Sequence, residues 1–304
     1  MRRVLMICLF AAVAVGPRAR AEEDPRDVER QFRFLLSRED ELHAQYDQFD
    51  SHTPKADLDR WNSQIRRLEG DYQHFLNNHP QHARAMVAYG ELLDDQGQME
   101  DAERWWKRAI AADPNEAYAY NDLANHYGHN GHADQALRYY QTAIRLVPTE
   151  PVFRFNWATT CSLFWNESRA VYGWDKNQIF QHALEQLRSA RDLAPQNFDY
   201  SSAYAETFFQ TPTTNWPEAY QAWQFCLHQP LGEGNQQFVY ANLARVCIRM
   251  GQFDEARQWA SHLSRGEQES ARRAIERRIA ESTKAADASA TNSASPAPGP
   301  VPKP

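Results

Sequence analysis

The sequence predicts an all-α protein made of stacked helix-turn-helix units, and two regularities carry that prediction. First, Pro80, Pro114 and Pro148 stand 34 residues apart (114 − 80 = 34; 148 − 114 = 34). A constant period of this length is typical of repeats that each contribute one pair of helices. Second, small residues recur in register between these prolines: Gly90 with Ala124, Ala102 with Ala136, and Ala109 with Ala143. Small side chains at fixed positions allow paired helices to approach closely.

Large residues keep the same register. Leu93 and Tyr127 follow the first small position by three residues, and Trp106 and Tyr140 follow the second by four. With these positions the chain resembles the tetratricopeptide repeat family over roughly residues 58–265. The resemblance implies a right-handed α-solenoid that binds a protein or peptide partner and is not an enzyme.

The first 21 residues have the composition of a secretory signal peptide. Arg2 and Arg3 precede an apolar run from Val4 to Val15, and an Ala-Arg-Ala segment that ends at residue 21 provides a small-x-small cleavage site. We therefore expect a mature chain that begins at Glu22, has no membrane span, and is periplasmic or secreted by a bacterium. An uncleaved N-terminal anchor remains the alternative, because arginines are unusual beside such a site.

The charge of the chain argues against nucleic acid as a partner. The formal net charge is −7, and removal of the four arginines of the signal gives −7 − 4 = −11 for the mature chain. A protein this acidic, with its basic residues interspersed among acids, is a poor candidate for nucleic-acid binding. Cys161, Cys226 and Cys247 occupy repeat positions that are elsewhere Leu, Tyr or Ala. We expect them to be buried thiols rather than disulfide or metal ligands.

Residues 22–80 are predicted to form an N-terminal helical hairpin that caps the repeat array. Apolar residues recur at helical spacing from Val28 to Phe49 and again from Leu58 to Phe75, and Thr53-Pro54 separates the two stripes. Both stripes are also heptad-like. A coiled coil that organises a homo-oligomer through residues 25–76 is therefore the alternative.

The repeats are assigned to residues 81–114, 115–148, 149–195, 196–231 and 235–265. The third is longer, since Pro148 and Pro195 are 47 residues apart (195 − 148 = 47), and the excess of 13 falls within residues 165–178, where we expect a loop. After the array, residues 266–283 are predicted to form a charged closing helix. Residues 284–304 are rich in Ala, Ser and Pro and are predicted to be a disordered tail.

The sequence contains no recognisable catalytic motif: it has no phosphate-binding glycine loop, no GxSxG and no HExxH. His126, His129 and His132 follow one another at three-residue intervals across the turn of the second repeat. Two histidines one helical turn apart can share a metal ion. However, Gly128 and Gly131 make this turn mobile, so we interpret the histidines as solvent-exposed turn residues and expect no metal and no cofactor.

The family resemblance also implies a binding surface. In such repeats the first helix of each unit lines the concave groove, and its second, fifth and ninth residues face inwards. This rule, with one neighbouring residue, assigns to the groove Arg84, Val87, Glu91, Tyr118, Asn121, Asn125, Val152, Phe155, Asn156 and Thr159. Val87 and Val152 stand where the family's clamp for acidic chaperone tails has basic residues, which disfavours that partner class.

Asn121 and Asn125 are the most specific candidates in this groove. They lie one helical turn apart, and each offers a hydrogen-bond donor and an acceptor. Such a pair can bind the backbone of an extended peptide, to which Tyr118 and Phe155 would add apolar contact.

The insertion of the third repeat offers a weaker candidate surface, made of Trp165, Tyr172 and Trp174. Aromatic residues in a long connection either pack onto the scaffold or contact a partner, and we favour the first hypothesis. Taken together, the sequence predicts an exported scaffold that binds a protein or peptide and mediates complex assembly in the cell envelope. The alternatives are a structural oligomer built on the N-terminal helices and a metal-binding or enzyme accessory on the same scaffold.

N-terminal sequencing of the exported protein tests the first prediction. We expect the mature chain to begin at Glu22, because Ala19 and Ala21 fit the small pockets that define such cleavage sites. Recovery of the chain from a membrane fraction with its first 21 residues intact would contradict a cleaved signal.

Overall fold

The computed structural model of the chain describes residues 23–264, 266 and 269–293. The predicted signal peptide, residues 1–21, and the last part of the predicted tail, from residue 294, lie outside the described residues. Within these ranges the chain forms fourteen α-helices and no strand. The all-α, tetratricopeptide-type solenoid predicted from the sequence is confirmed.

The helices run in chain order as α1 Pro25–Tyr46, α2 Lys55–Asn78, α3 Ala83–Asp95, α4 Met99–Ala112, α5 Ala117–His129, α6 Ala133–Leu146, α7 Pro151–Leu163, α8 Trp165–Tyr172, α9 Lys176–Leu193, α10 Phe198–Thr207, α11 Trp216–Leu227, α12 Glu233–Arg249, α13 Phe253–Ser261 and α14 Glu269–Ser293. They belong to two units, one ending at Pro80 and one beginning at Gln81. No helix in the described ranges combines the length and apolar character needed to cross a bilayer.

The first unit is a hairpin of α1 and α2. Phe32 near the start of α1 contacts Phe75 near the end of α2, with ring centroids 6.1 Å apart, so the helices are antiparallel. At the other end, the Trp61 indole N–H donates to the Leu42 carbonyl at 2.9 Å. The two apolar stripes that suggested a coiled coil thus face each other within this unit.

The second unit is an array of helix pairs. The pairs are α3 with α4, α5 with α6, α7 with α9, α10 with α11, and α12 with α13, and α14 packs against α12 and α13. Gly97, Gly131 and Gly251 sit in the turns inside three of these pairs with φ of 74°, 80° and 75°. A left-handed backbone at the end of a helix favours glycine because a side chain there is strained.

Buried small residues hold each pair together. Ala102, Ala124, Ala136 and Ala158 are fully buried, and Gly90 lies directly against the indole of Trp106. The predicted burial of the cysteines is also confirmed, since Cys161, Cys226 and Cys247 are all buried.

The insertion of the third repeat differs from its prediction. It contains a helix, α8, where we expected a loop. The buried Ser168 hydroxyl donates to the Cys161 carbonyl at 3.0 Å and so attaches α8 to the end of α7. Gly173, with φ of 70°, ends α8, and a capping box between Asp175 and Gln178 starts α9.

The predicted closing helix extends further than expected, into the segment predicted to be a tail. Helix α14 continues to Ser293, ten residues beyond residue 283 (293 − 283 = 10). Six of the residues from Lys284 to Ser293 are polar or charged, but four are alanine, which has the highest helix propensity, and the first proline of the tail is Pro296.

Replacement of Gly90 tests the close helix approach. A Cβ at residue 90 would lie 2.5 Å from Nε1 and 2.8 Å from Cδ1 of Trp106, which is fully buried. Overpacking costs about 1–3 kcal/mol, while alanine gains at most about 1 kcal/mol in helix propensity. We expect Gly90→Ala to lower the melting temperature measured by circular dichroism.

Gly128→Ala is the matched control, because its Cβ would meet only the Ala136 methyl at 3.7 Å, an ordinary contact. This variant should be as stable as the parent or slightly more stable. Equal effects of the two substitutions would show that the contact between α3 and α4 is not sterically limiting.

Candidate functional site

Three asparagines form a network between α5 and α7. Asn156 of α7 donates its Nδ2 to Asn121 Oδ1 at 3.0 Å and to Asn125 Oδ1 at 3.3 Å, so it contacts both asparagines of α5. The Tyr140 hydroxyl of α6 donates to the same Asn125 oxygen at 2.6 Å. Because Asn125 Oδ1 accepts from both neighbours, the orientation of its amide is fixed by the network.

The network leaves one donor and one acceptor free. Asn125 Nδ2 and Asn156 Oδ1 have no hydrogen-bond partner among the described residues, and both atoms remain accessible to solvent. An unpaired N–H donor thus lies close to an unpaired oxygen acceptor, on side chains whose other atoms are already held.

These two amides line a pocket of about 380 Å³, which we call the amide pocket. Thr159 and Thr160 of α7 and Tyr140 of α6 also line it. The Thr159 hydroxyl bonds to carbonyls of its own helix, at 2.9 Å to Phe155 O, and so contributes mainly shape. Tyr140 and Thr160 were not among the residues selected from the sequence, because Tyr140 belongs to a second helix and Thr160 is outside the groove positions of the rule.

Asn121 has a different role from the one predicted. Its side chain is only 5% exposed and is held by Asn156 and by Asp122, to whose Oδ1 it donates at 3.0 Å. The hypothesis that Asn121 and Asn125 both face a ligand is therefore wrong for Asn121. It is a positioning residue that orients Asn156.

The buried carboxyl group of Asp122 contacts this network through its hydrogen bond with Asn121. Removal from water raises the pKa of Asp122 well above its usual range, and the nearby Glu91 carboxylate raises it further. Glu91 was predicted to lie in the groove and is exposed on α3, as is Arg84. Val87, assigned to the groove by the same rule, is buried in the core with 5% exposure.

Tyr118 and Phe155 lie on α5 and α7 as predicted, but both already have partners. The Tyr118 hydroxyl donates to Glu150 at 2.7 Å, and its ring meets Phe153 edge-on at 5.1 Å while 43% of the residue stays exposed. Phe155 contacts Tyr200 of α10 at 5.0 Å. Tyr118 thus offers an exposed, fixed aromatic surface, whereas Phe155 mainly joins the third repeat to the fourth.

The aromatic residues of the insertion pack onto the scaffold. Tyr172 accepts a hydrogen bond from the Trp157 indole at 3.0 Å and stacks on Trp174 at 4.4 Å, and Trp174 in turn contacts His182 at 4.0 Å. Burial raises the pKa of Tyr172 to about 12. Trp165 is partly buried with the Lys176 ammonium over its ring. A partner would find little free aromatic surface here.

The histidines of the second repeat do not form one exposed group. The His126 side chain is only 11% exposed, lies 3.9 Å from a Glu103 oxygen and meets the Trp106 ring edge-on, so our expectation of full solvent exposure is wrong for His126. His129 and His132 are exposed. Over the described ranges no three His, Cys, Asp or Glu side chains are grouped in a way that could hold a metal ion.

The groove rule can be extended to the fourth and fifth repeats. Ala205 and Ala244 are fully buried like Ala124, so the next residues, Glu206 and Arg245, correspond to Asn125. Both are exposed. Neither residue is among the predicted groove residues, which come from the first three repeats only, although the same spacing is present in the sequence.

Sequence comparison identifies tetratricopeptide repeats in the chain. Profiles of that family match residues 83–116, 117–150 and 237–262, which are the first, second and fifth repeats. Among curated proteins, none matches the chain with significant similarity.

Solved structures with the same fold include three tetratricopeptide-type arrays. Pseudomonas aeruginosa PilF has a TM-score of 0.55 at 13% identity, covering 78% of this chain and 91% of its own. PilW, described as a type IV pilus biogenesis factor, has 0.53 at 11% identity, with coverage of 78% and 92%. YrrB, described as a TPR protein with an unusual peptide-binding site, has 0.52 at 13% identity, with coverage of 70% and 97%. At these identities the similarity establishes the fold alone.

The pH dependence of stability tests the buried state of Asp122. Its pKa is raised above 3.8 in the folded state, so the folded chain binds this proton more tightly than the unfolded chain. Stability therefore falls as pH rises from the pKa of the unfolded chain to that of the folded chain. Asp122→Asn resembles the protonated acid and keeps an acceptor for Asn121. As pH rises from about 4 to about 8, we expect the free energy of unfolding of the variant to increase relative to that of the parent, by about 1.4 kcal/mol for each unit by which the pKa is raised. Melting temperatures measured across this pH range should show the same trend.

Asp134→Asn is the control, since it removes an exposed carboxylate from α6. Its difference from the parent should change little with pH. If Asp122→Asn were equally destabilised at both ends of the pH range, Asp122 would be ionised and satisfied in the folded state.

Proposed function

This chain is a tetratricopeptide repeat protein, and from that premise we propose that it is an exported scaffold that binds an extended peptide segment of a protein partner at the amide pocket. Proteins of this family generally act as non-catalytic protein-interaction modules. The observation that carries the proposal is the free donor on Asn125 and the free acceptor on Asn156, two residues that line the amide pocket.

An extended peptide has complementary requirements. Each of its residues other than proline carries one N–H donor and one C=O acceptor, and both need partners when they leave water. Asn125 Nδ2 can donate to a peptide carbonyl while Asn156 Oδ1 accepts from a peptide N–H. These two hydrogen bonds recognise the backbone of a peptide and not a particular side chain. They therefore favour binding of a segment in an extended conformation.

The asparagines are held before a ligand arrives. Tyr140 and Asn121 fix the opposite atoms of Asn125 and Asn156, so fewer side-chain rotations are lost on binding. Tyr118, exposed on α5 about two helical turns before Asn125, supplies an aromatic surface further along the same helix. The proposed site therefore combines fixed polar groups with one aromatic surface, which suits a short peptide better than a large flat interface.

A location in the cell envelope is the second part of the proposal. Its support is the predicted signal of residues 1–21, and the partner would be a protein of the periplasm or of the exterior. The packed state of the insertion favours the amide pocket over residues 165–178 as the place of recognition.

Asn125→Asp tests the amide pocket with a nearly isosteric change. The variant keeps an oxygen acceptor for Tyr140 and Asn156 but replaces the free donor with a second acceptor. An unpaired, desolvated peptide carbonyl costs about 1–3 kcal/mol, so we expect affinity to fall at least about tenfold. The measurement uses fluorescence anisotropy with labelled 12-residue peptides that tile the envelope proteins co-purifying with the chain.

Asn166→Asp provides the matched control, because it makes the same chemical change at an exposed position of α8. It should bind like the parent, and both variants should keep the parental circular dichroism spectrum. Peptides that bind the parent and Asn125→Asp with equal affinity would remove the amide pocket as the binding site.

A further inference from the structure

A second pocket lies at the C-terminal end of the repeat array. It has a volume of about 470 Å³ and lies between α12, α14 and the residues that follow α10. Three arginines line it, Arg245 and Arg249 from α12 and Arg278 from α14, together with Phe209 and the Ser282 hydroxyl. We call it the arginine pocket.

The three guanidinium groups are only partly neutralised within the described part of the protein. None of them takes part in an ion pair in the described part of the chain, and the hydrogen bond of Arg245 goes to the neutral side chain of Asn242. Although Arg245 as a residue is exposed, its guanidinium is partly removed from water, which lowers its pKa; repulsion from Arg278 and Arg249 lowers the pKa further, while Glu206 opposes this. Positive charges thus converge on one cavity without a matching number of internal anions.

Aromatic rings hold two of these arginines in place. The Arg245 guanidinium lies 4.2 Å from the centroid of the Phe209 ring, and that of Arg249 lies 5.6 Å from Trp216. Stacking of this kind stabilises the cation through the ring face and restricts the side chain. It leaves the N–H edges of the guanidinium available, and these edges match the two oxygens of a carboxylate.

The net charge of the residues around the arginine pocket indicates which kind of anion it can bind. Glu281 lines the pocket and Glu206 interacts with Arg245, so three arginines and two glutamates give a local charge of 3 − 2 = +1. This is too small for a polyanion such as nucleic acid, which the net charge of −7 would also repel. One or two carboxylates fit this balance, and Phe209 and Ile248 offer apolar contact to neighbouring side chains.

We propose that the arginine pocket is a second binding site, which takes the carboxylate side chains of an acidic peptide segment of a protein partner. Arg245 and Arg278 approach the carboxylate oxygens from α12 and α14, and Ser282 adds a hydroxyl donor. The site uses the closing helix, so it is complete only where the fifth repeat and α14 meet. It does not depend on the amide pocket, which belongs to the second and third repeats.

Fluorescence anisotropy with the purified chain tests the proposal. The probe is a labelled eight-residue peptide with an amidated C-terminus. Three of its residues are Glu or Asp, and the other five are Leu or Ser. Its neutral counterpart has Gln and Asn in place of the acids. We expect the acidic peptide to bind at least tenfold more tightly than the neutral one, and the double variant Arg245→Gln with Arg278→Gln to lose at least tenfold in affinity.

Two further variants serve as controls. Arg257→Gln removes one exposed arginine from α13 in the same repeat and should bind the acidic peptide like the parent. Asn166→Asp, an exposed change on α8 outside both pockets, should also leave this affinity unchanged. Two single variants at Arg245 test the role of the guanidinium. Arg245→Lys keeps the charge but loses the planar group, so it should bind more weakly than the parent and more tightly than Arg245→Gln. Circular dichroism of each variant should match the parent.

Four results would overturn the proposal. The neutral peptide could bind as tightly as the acidic one, or the double variant could retain parental affinity. Inorganic phosphate could displace the probe at lower concentration than unlabelled acidic peptide does, which would identify a phosphate site. Finally, binding that requires a free C-terminus would show that the pocket takes a terminal carboxylate instead of side chains.

Discussion

The close approach of the two helices in each repeat is the constraint on which the rest of the second unit depends. The first helix of each repeat carries at its closest point a residue with almost no side chain, and these residues, Gly90, Ala124, Ala158, Ala205 and Ala244, are all buried. A larger side chain would force the helices apart, because packed interiors have little free volume. The small residue therefore fixes the rotation of each first helix about its own axis, and with it the direction of every other side chain on that helix.

Because the rotation of each first helix is fixed, residues at the same repeat position lie at equivalent places on the surface of the array. The residue after each small one is Glu91, Asn125, Thr159, Glu206 or Arg245 in successive repeats, and none of these five is buried. Their chemistry changes along the array from carboxylate to amide, hydroxyl, carboxylate and guanidinium. The scaffold thus keeps its packing constant and varies one residue per repeat at the same place. This arrangement places the variable residue next to the small one and outside the closest contact between paired helices, although Asn125 also accepts a hydrogen bond from Tyr140 of its paired helix α6.

Sequence reasoning succeeded where the signal is local and failed where it depends on contacts between repeats. The repeat register, the fold and the buried cysteines follow from spacing within one unit. The burial of Asn121 does not, because it depends on Asn156, which lies 35 residues later in another repeat. His126 is covered in the same way by Glu103 of the preceding repeat. Helix α8 was missed because its anchor, the bond from Ser168 to the Cys161 carbonyl, has no periodic signature.

Net charge and local charge act over different distances in this protein. The chain has a formal charge of −7, so at long range it repels an acidic partner, but at physiological salt interactions between exposed charges are screened beyond about 8 Å. Inside the arginine pocket, the nearest charges to a ligand would be Arg245, Arg249 and Arg278, with desolvation making each contact stronger than in water. Because screening leaves this repulsion weak, binding of an acidic segment depends on the short contacts that it makes inside the pocket. An acidic scaffold that carries this positive pocket therefore discriminates by geometry, because its net charge does not attract the ligand.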